Sequence, residues 1–226
     1  MKIRMVCATR VEAASFATQT ALGRSLALYP FPFVELRLFA SNSAGLPFCY
    51  NTAIREAASD PCTLVFVHDD VHLLDFFWPD RLTSGLRAAQ VVGIAGCRRR
   101  RPRQVSWRYT DDLRTMEQAA NLSGAIAHGA GWPATGVSYY GPIGAEVQIL
   151  DGVLLAAQSA SLIAAGITFD ERFDFHFYDL DFCRQCTDKG LKLATVPLPL
   201  VHESGGGFGT PSWSRGRDAY LTKWGD

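Results

Sequence analysis

The sequence predicts an α/β fold with a mostly parallel central sheet flanked by helices. Strand and helix signals alternate through residues 1–97, which is the first observation behind this prediction. The second is the apolar run Thr63–Val67, which is typical of a buried strand and ends abruptly in His68, Asp69 and Asp70. Open α/β sheets bind ligands at the carboxyl ends of their strands, so we expect the functional site there.

The first half of the chain is predicted to form a βαβαβαβ unit. Its strands are apolar runs, its helices carry apolar residues at helical spacing, and Thr9 is a candidate N-cap of the first helix. Pro30 and Pro32 break the chain before the second strand, and the loop 41–45 follows it. In chain order the predicted elements are Ile3–Ala8, 11–22, Val34–Phe39, 46–58, Thr63–Val67, 76–89 and 91–95.

The second half is predicted to be less regular. Residues 97–121 are polar and rich in arginine, and residues 129–144 are rich in glycine and aromatic side chains, so irregular structure is expected in both segments. The elements predicted beyond them are a strand at 146–155 around an Asp151-Gly152 turn, a helix at 156–165 before Gly166, a helix at 179–189 before Gly190, and a strand at 191–196.

Bulk composition excludes several classes of protein. The 226 residues are 48% hydrophobic, which is enough for one core, and we expect a single domain over 1–226. Lys+Arg and Asp+Glu balance at 22 each, so net charge gives no general attraction to nucleic acid or membrane. No apolar run is long enough to span a bilayer, and residues 1–7 are too short and too charged for a signal peptide. We therefore expect a cytoplasmic protein.

The six cysteines are expected to be reduced, as in a cytoplasmic protein. Cys183 and Cys186 form a C-x-x-C pair, but a zinc site needs more ligands nearby. We interpret these two residues as structural thiols.

The pair Asp69-Asp70 predicts a divalent metal site. Ionised carboxylates are costly to bury without a cation, and oxygen ligands of this kind suit Mg²⁺ or Mn²⁺ held between carboxylate and diphosphate. The alternative is that both acids cap a helix N-terminus. The five-residue apolar strand that precedes them makes this alternative less favourable.

The segment 169–182 interleaves acids with aromatic residues just before a predicted helix. Free backbone N–H groups hold an acid in place at a helix N-terminus, and a general base needs a fixed position. The alternative is plain capping by Asp179 or Asp181. We expect one acid to cap the helix and the other to face a substrate.

Two further residues are candidates for ligand contact. His202 precedes the glycine run 205–207, which lets backbone approach a ligand closely, although a lone histidine after a strand is usually a surface or core residue. Asn51 lies one turn into a predicted helix behind Gly45, where it is either solvated or within reach of a nucleotide above the sheet.

Together these motifs resemble the GT-A-type glycosyltransferases of the family-2 kind, especially their short bacterial relatives. The resemblance spans about residues 3–202. It rests on the order and spacing of four segments: 46–57 is similar to the helix with the A-Y-N-x-A-I motif, 66–71 to the D-x-D metal motif, 169–171 with 178–181 to the F-D-E … E-D-x-D segment that contains the catalytic base, and 201–202 to the late v-H.

The resemblance implies a metal-dependent inverting glycosyltransferase of glycan or polysaccharide assembly. It would move a sugar from a nucleotide-diphosphate sugar to a hydroxyl of a glycan, lipid-linked or protein acceptor, with a nucleotide-binding half (1–97) and an acceptor and catalytic half (98–226) that includes a small antiparallel portion. The implied residues are Asp179 as catalytic base; Asp69, Asp70 and His202 around Mn²⁺ or Mg²⁺; Thr9, Arg10, Asn42, Asn51 and His68 beside the donor nucleotide; and Trp107, Arg108 and Asp181 on the acceptor or flap side.

The sequence departs from the family pattern at three positions. Val67 stands where the first Asp of D-x-D is expected, so Asp69 and Asp70 must hold the metal. Tyr178 replaces the Glu of the E-D pair and leaves Asp179 as the base. Ser41-Asn42 occupies the place of the family's acidic D-x-S.

Several alternatives stay open at this point. The arginine-rich segment 98–108 is a solvated loop, a mobile flap over the donor diphosphate, or a site for an anionic acceptor. Tyr178 is compatible with a nucleotide-sugar-binding protein that has lost turnover. A nucleotidyltransferase or phosphohydrolase usually has a Gly-rich, Lys-containing loop after the first strand, which residues 8–12 do not provide. Zero net charge argues against a nucleic-acid partner, and peripheral contact with a membrane stays open.

Overall fold

The computed structural model of the protein describes residues 2–110, 115–205 and 207–225. Within these ranges the main sheet has seven strands, in the spatial order β2-β1-β3-β11-β5-β12-β9. In chain order they are β1 (Ile3–Ala8), β2 (Val34–Phe39), β3 (Thr63–Val67), β5 (Val91–Gly93), β9 (Glu146–Val147), β11 (Leu154–Gln158) and β12 (Leu193–Thr195).

Five of the seven strands run in the same direction. β1 is parallel to β2 and to β3, and β12 is parallel to β5. Between these two groups lies β11, which is antiparallel to both β3 and β5. The edge strand β9 is antiparallel to β12. The predicted mostly parallel α/β sheet is therefore confirmed, with one inserted antiparallel strand that the local sequence did not reveal.

A second, smaller sheet is mainly antiparallel. Its strands follow the order β10-β6-β7-β13-β4, and β8 pairs with β7. In chain order they are β4 (Val71–Leu73), β6 (Ala95–Cys97), β7 (Leu122–His128), β8 (Gly136–Gly141), β10 (Ile149–Leu150) and β13 (Leu200–His202). β7 and β13 are the parallel pair of this sheet. This sheet is the predicted antiparallel portion.

Helices pack against both sheets. α3 packs against β1 and β3, and α6 packs against β10 and β12. In chain order the α-helices are α1 (Phe16–Gln19), α2 (Ala21–Leu28), α3 (Leu46–Glu56), α4 (Trp78–Gly85), α5 (Ser159–Ala165), α6 (Tyr178–Asp188) and α7 (Pro211–Trp224). In the part of the chain that the structure describes, no helix is long and apolar enough to cross a membrane.

Several predicted boundaries are wrong for identifiable reasons. The segment 11–22 is broken into short helical pieces, and Thr20 rather than Thr9 caps α2 by accepting a hydrogen bond from Gly23 N. The predicted strand 91–95 is split, because β5 joins the main sheet and β6 joins the second sheet. α7 was not predicted, although Thr210 caps it and accepts a hydrogen bond from Trp213 N.

The segments expected to be irregular are partly ordered. The segment 129–144 contains β8, whose partner β7 lies earlier in the chain. Just after the arginine-rich segment 98–108, an isolated β-bridge pairs Tyr109 with Met116. Residues 111–114 and Gly206 of the glycine run lie outside the described part of the chain. All six cysteines are buried free thiols, as predicted.

Candidate active site

The apolar strand β3 positions the first group of candidate residues. β3 lies between β1 and β11, and each of its residues is buried, because both faces of the sheet are covered. Immediately after it, His68 donates its backbone N–H to Val153 O, at 3.2 Å. Asp69 and Asp70 follow at the carboxyl end of the parallel strands, as the sequence predicts.

Three side chains form a potential metal-binding cluster: His68, Asp70 and His202. One ligand atom from each lies within 4.8 Å of the other two. His202 Nε2 is 3.4 Å from Asp70 Oδ1, and His68 Nδ1 is 3.9 Å from the same oxygen. β13 brings His202 here by pairing antiparallel with β4, where His202 lies opposite Val71.

The electrostatics of the cluster favour a positive charge beside Asp70, either an imidazolium or a bound cation. Burial alone would raise the pKa of Asp70, but the neighbouring imidazoles outweigh it and lower that pKa to about 2. Burial would lower the pKa of His202, yet Asp70 raises it, whereas burial lowers the pKa of His68. Among the described residues, Oδ1 of Asp70 is shielded from solvent and has no hydrogen-bond partner. A buried anionic oxygen between two imidazoles is a fitting donor set for a divalent metal.

The structure separates Asp69 from this cluster. Asp69 Oδ2 accepts a hydrogen bond from Thr9 Oγ1 at 2.6 Å, and its backbone oxygen accepts one from Leu22 N. Within the described ranges Asp69 is not a member of the three-residue group, and His68, expected near the nucleotide, takes its place. The prediction of Asp69 as a direct partner of Asp70 is therefore corrected, because their side chains diverge after the strand.

Two predicted nucleotide-side residues lie close to the Thr9–Asp69 pair. Asn42 N donates to Thr9 O at 2.8 Å, which holds the loop after β2 beside the end of β1. The Asn42 side chain itself binds the backbone of Ala44 through both of its polar atoms. Arg10 follows Thr9 and is exposed to solvent at the same end of the sheet.

Asn51, predicted to contact a nucleotide, has a structural role. The side chain is only 5% exposed. Its Nδ2 donates to Phe169 O and Glu171 Oε1, and its Oδ1 accepts from Phe169 N, each at 2.8 or 2.9 Å. These bonds use the amide to fix the 169–171 segment onto α3, and the contact of Asn51 with a nucleotide stays a prediction.

Asp179 lies at the start of α6, beside a tight contact with Gly152. Gly152 N donates to Asp179 Oδ2 at 3.0 Å, and Gly152 O accepts from the Tyr178 hydroxyl at 2.8 Å. A Cβ at position 152 would lie 2.5 Å from the Tyr178 hydroxyl and 2.9 Å from Asp179 Cβ. Only glycine allows the chain to come this close, so one residue positions both side chains.

The carboxyl group of Asp179 has a raised pKa. Burial, followed by the negative charge of Asp151, raises its pKa to about 7. Asp151 is itself held by Trp107 Nε1 at 2.6 Å and by Val153 N at 2.9 Å. A carboxylate with a pKa near the working pH is suited to act as a general base.

The backbone before Asp179 is strained. Phe177 has a φ of +67°, in the left-handed region that a bulky residue rarely adopts. Its ring packs against Trp213 and Tyr220 of α7, with ring centres 5.4 and 5.5 Å apart. The unpredicted helix α7 thus holds the turn that delivers Tyr178 and Asp179.

Asp181, predicted on the acceptor side, is a structural residue. It is fully buried, and its Oδ1 binds Lys223 Nζ at 2.6 Å and Trp224 Nε1 at 2.8 Å. Its Oδ2 accepts from Gln185 Nε2 at 2.7 Å. These partners place Asp181 on the opposite side of α6 from the cavity, where it anchors the end of α7.

A cavity of about 170 Å³ joins these groups. His68, His202, Asp151 and Asp179 all line it, together with residues of the arginine-rich segment and of the glycine run. Its aromatic lining consists of Trp107, Tyr140, Phe175, Phe177, Tyr178, Phe208 and Trp213. The two histidines of the cluster and the carboxylate with the raised pKa therefore line one cavity.

The predicted flap residues Trp107 and Arg108 both line this cavity. Trp107 is only 5% exposed, packs edge-on against Tyr140 with ring centres 4.7 Å apart, and binds Asp151 through its indole N–H. Trp107 is packed in the wall of the cavity in this structure, and its place on the acceptor or flap side stays a prediction.

Sequence reasoning missed three contributors to this site. Asp151 and Gly152 were noted only as a turn, and Tyr178 only as a substitution of the family's Glu. Asp151 and Gly152 lie at the carboxyl end of β3 because β11, the strand that follows them, is antiparallel to β3, which the local sequence did not reveal.

The chain was compared with known proteins. No protein-family model and no curated protein sequence matches it. Among solved structures it is similar to the A197 protein from STIV, with 13% identity and a TM-score of 0.51 over 90% of this chain and 86% of that one. It is also similar to S. aureus TarS 1–349 in complex with UDP-GlcNAc, with 13% identity and a TM-score of 0.52 over 92% of this chain.

This chain spans 60% of the TarS chain. A mannosyltransferase from Pyrobaculum calidifontis in complex with GDP-Man and Mn²⁺ matches at 15% identity and a TM-score of 0.48, over 92% of this chain and 58% of that one. Together with the sheet order, the matches to A197 and TarS identify a GT-A-like α/β fold. Membership of family 2 stays a prediction.

Proposed function

We propose that the protein is a glycosyltransferase that moves a sugar from a nucleotide-diphosphate sugar to an acceptor hydroxyl, with help from a divalent cation. The observation that supports this best is that His68 and His202 of the cluster line the same cavity as Asp179, and that hydrogen bonds link His68 to Asp179 through Tyr178 and Gly152. The fold of TarS, whose structure contains UDP-GlcNAc, is consistent with the same class of donor. The division into a nucleotide-binding half (1–97) and an acceptor half (98–226) belongs to this proposal.

The cation would be held by His68, Asp70 and His202. Two imidazole nitrogens beside one carboxylate suit Mn²⁺ better than Mg²⁺, which prefers an all-oxygen shell. Oδ1 of Asp70 is shielded from solvent and has no hydrogen-bond partner among the described residues, so a bound cation would stabilise its negative charge. When bound, the cation would neutralise the diphosphate that leaves.

The chain's own residues would carry out the remaining steps. Thr9 and Asp69, with the loop at Asn42, would form the nucleotide side at the ends of β1 and β3. Asp179 would take the proton of the acceptor hydroxyl while that oxygen bonds to the anomeric carbon. The bond from this carbon to the diphosphate breaks on the opposite face, and the nucleoside diphosphate leaves with its electron pair. A single displacement of this kind inverts the anomeric centre.

The test is turnover by the purified protein. We expect a panel of nucleotide sugars with Mn²⁺ and hydroxyl acceptors to give release of one nucleoside diphosphate, and Asp179→Asn to suppress this release. Donor binding without turnover by the wild-type protein would instead favour a nucleotide-sugar-binding protein. If no nucleotide sugar binds, the proposal is wrong.

A further inference from the structure

The arginines of the 98–108 segment differ in their partners, and one of them lines the cavity. Arg99 and Arg101 form ion pairs with the buried carboxylate of Glu117. Arg100 lies 3.7 Å from Asp188. Arg108 has no carboxylate partner among the described residues and lines the candidate active site. Its positive charge is therefore available inside the cavity.

Aromatic rings hold the Arg108 guanidinium in place. Its central carbon lies 4.8 Å from the ring centre of Tyr109 and 5.6 Å from that of Phe208. Its Nε is buried and finds no hydrogen-bond partner in the described part of the chain. A buried hydrogen-bond donor without a partner costs free energy. A guanidinium that packs on aromatic rings still has planar N–H groups that can bind an oxyanion.

Arg108 lines the same cavity as Asp179, the proposed base, and as His128. His128 is the cross-strand neighbour of His202 and hydrogen-bonds Ser138 Oγ at 2.9 Å. Trp107, Tyr140 and Phe208 add apolar walls on which the carbon face of a sugar can pack.

We propose that Arg108 anchors a subsite for an oxyanion carried by the acceptor, so that the acceptor is an acidic sugar or polyol bearing a phosphate or carboxylate. This inference rests on the proposed transferase function and adds the class of acceptor to it. The fork of Arg108 would bind the anion, and the aromatic walls would hold the ring so that a hydroxyl faces Asp179.

The probes are glucose 6-phosphate, glucuronate and neutral glucose, titrated into the full-length protein with Mn²⁺ and a nucleoside diphosphate present to fill the donor side. We expect the wild-type protein to bind at least one of the two anions about tenfold or more tightly than glucose, since charge-assisted hydrogen bonds give differences of this size. Arg108→Gln should remove the preference. Arg98→Gln, an exposed residue of the same segment, should retain it.

Three results would overturn the inference: no preference for an anion in the wild-type protein, a preference that survives in Arg108→Gln, or a loss in that variant of nucleoside diphosphate affinity alone, which would assign Arg108 to the donor. Arg108→Lys keeps the charge without the fork, so we expect an intermediate preference. Binding of Mn²⁺ and nucleoside diphosphate, measured in the same samples, tests the proposed function separately.

Discussion

The Tyr178 hydroxyl lies 2.8 Å from His68 Nε2 and also 2.8 Å from Gly152 O. The phenol has one proton, and the carbonyl can only accept, so the proton points to Gly152. The Tyr178 oxygen must then accept from Nε2–H of His68. Neutral His68 therefore keeps its lone pair on Nδ1, the atom that faces Asp70 at 3.9 Å.

Removal of the Tyr178 hydroxyl should weaken cation binding. Tyr178→Phe frees Nε2 of His68 to lose its proton to Nδ1, so we expect Mn²⁺ affinity to fall by about 10- to 100-fold in a calorimetric titration. Tyr50→Phe is the matched control, because Tyr50 is also buried, its ring centre lies 5.9 Å from that of Tyr178, and it is not one of the residues that line the cavity. Equal Mn²⁺ affinity in the two variants would contradict the tautomer assignment.

Asp179 should control the pH dependence of turnover. Because burial and Asp151 raise its pKa to about 7, the carboxylate form is lost as the pH falls below that value. We expect kcat/KM to fall about tenfold per pH unit below 7 and Asp179→Asn to reduce turnover by about 10²-fold or more. Donor affinity should be unchanged in that variant. A flat profile between pH 5 and 8 would remove Asp179 from the role of base.

The same carboxylate should reduce stability at high pH. Its pKa is about 7 in the folded protein and near 3.8 when unfolded, so the folded state binds more protons between these values. The free energy of unfolding should therefore fall as the pH rises through this window. At pH 8 we expect Asp179→Asn to be more stable than the wild-type protein by about 1–3 kcal/mol, measured by urea unfolding. At pH 4 the difference should vanish, and a constant difference would contradict the assignment.

Asp181 should affect stability alone. Asp181→Ala removes the buried carboxylate that binds Lys223 and Trp224, while Lys223 keeps its ion pair with Asp170, so we expect the free energy of unfolding to fall by about 1–3 kcal/mol. Asp218→Asn, an exposed residue of the same helix α7, should change it by less than about 0.5 kcal/mol. Unfolding in urea gives both values. Loss of Mn²⁺ affinity in a folded Asp181→Ala protein would return Asp181 to the site.

Local sequence predicted the elements whose signals are strong and local. Thr63–Val67 and Val34–Phe39 match their strands, because an apolar run bounded by polar residues specifies a strand without reference to its partners. β8 and the position of β11 were missed because pairing between distant strands leaves little local trace. α7 follows a glycine run, and its interior polar residues weaken its apolar pattern.

The site was predicted in outline and corrected in detail. The carboxyl end of β3 and Asp179 were found because the chemistry of adjacent acids is visible in the sequence. Which acid lies beside the two histidines was not visible, since Asp69 and Asp70 differ only in the direction that each side chain takes after the strand. The structural hydrogen bonds of Asn51 and Asp181 were not visible either, because buried structural hydrogen bonds use the same residue types as ligand contacts.

The cluster of His68, Asp70 and His202 is the central element of the proposed transferase function. Its direct test is a calorimetric titration of UDP and GDP, with and without Mn²⁺, into the wild-type protein and the Asp70→Asn and Asp69→Asn variants. We predict that one nucleoside diphosphate binds at least about tenfold more tightly with Mn²⁺, that Asp70→Asn removes this gain, and that Asp69→Asn still binds Mn²⁺. Equal nucleoside diphosphate affinity with and without Mn²⁺, or a gain that survives in Asp70→Asn, would contradict it.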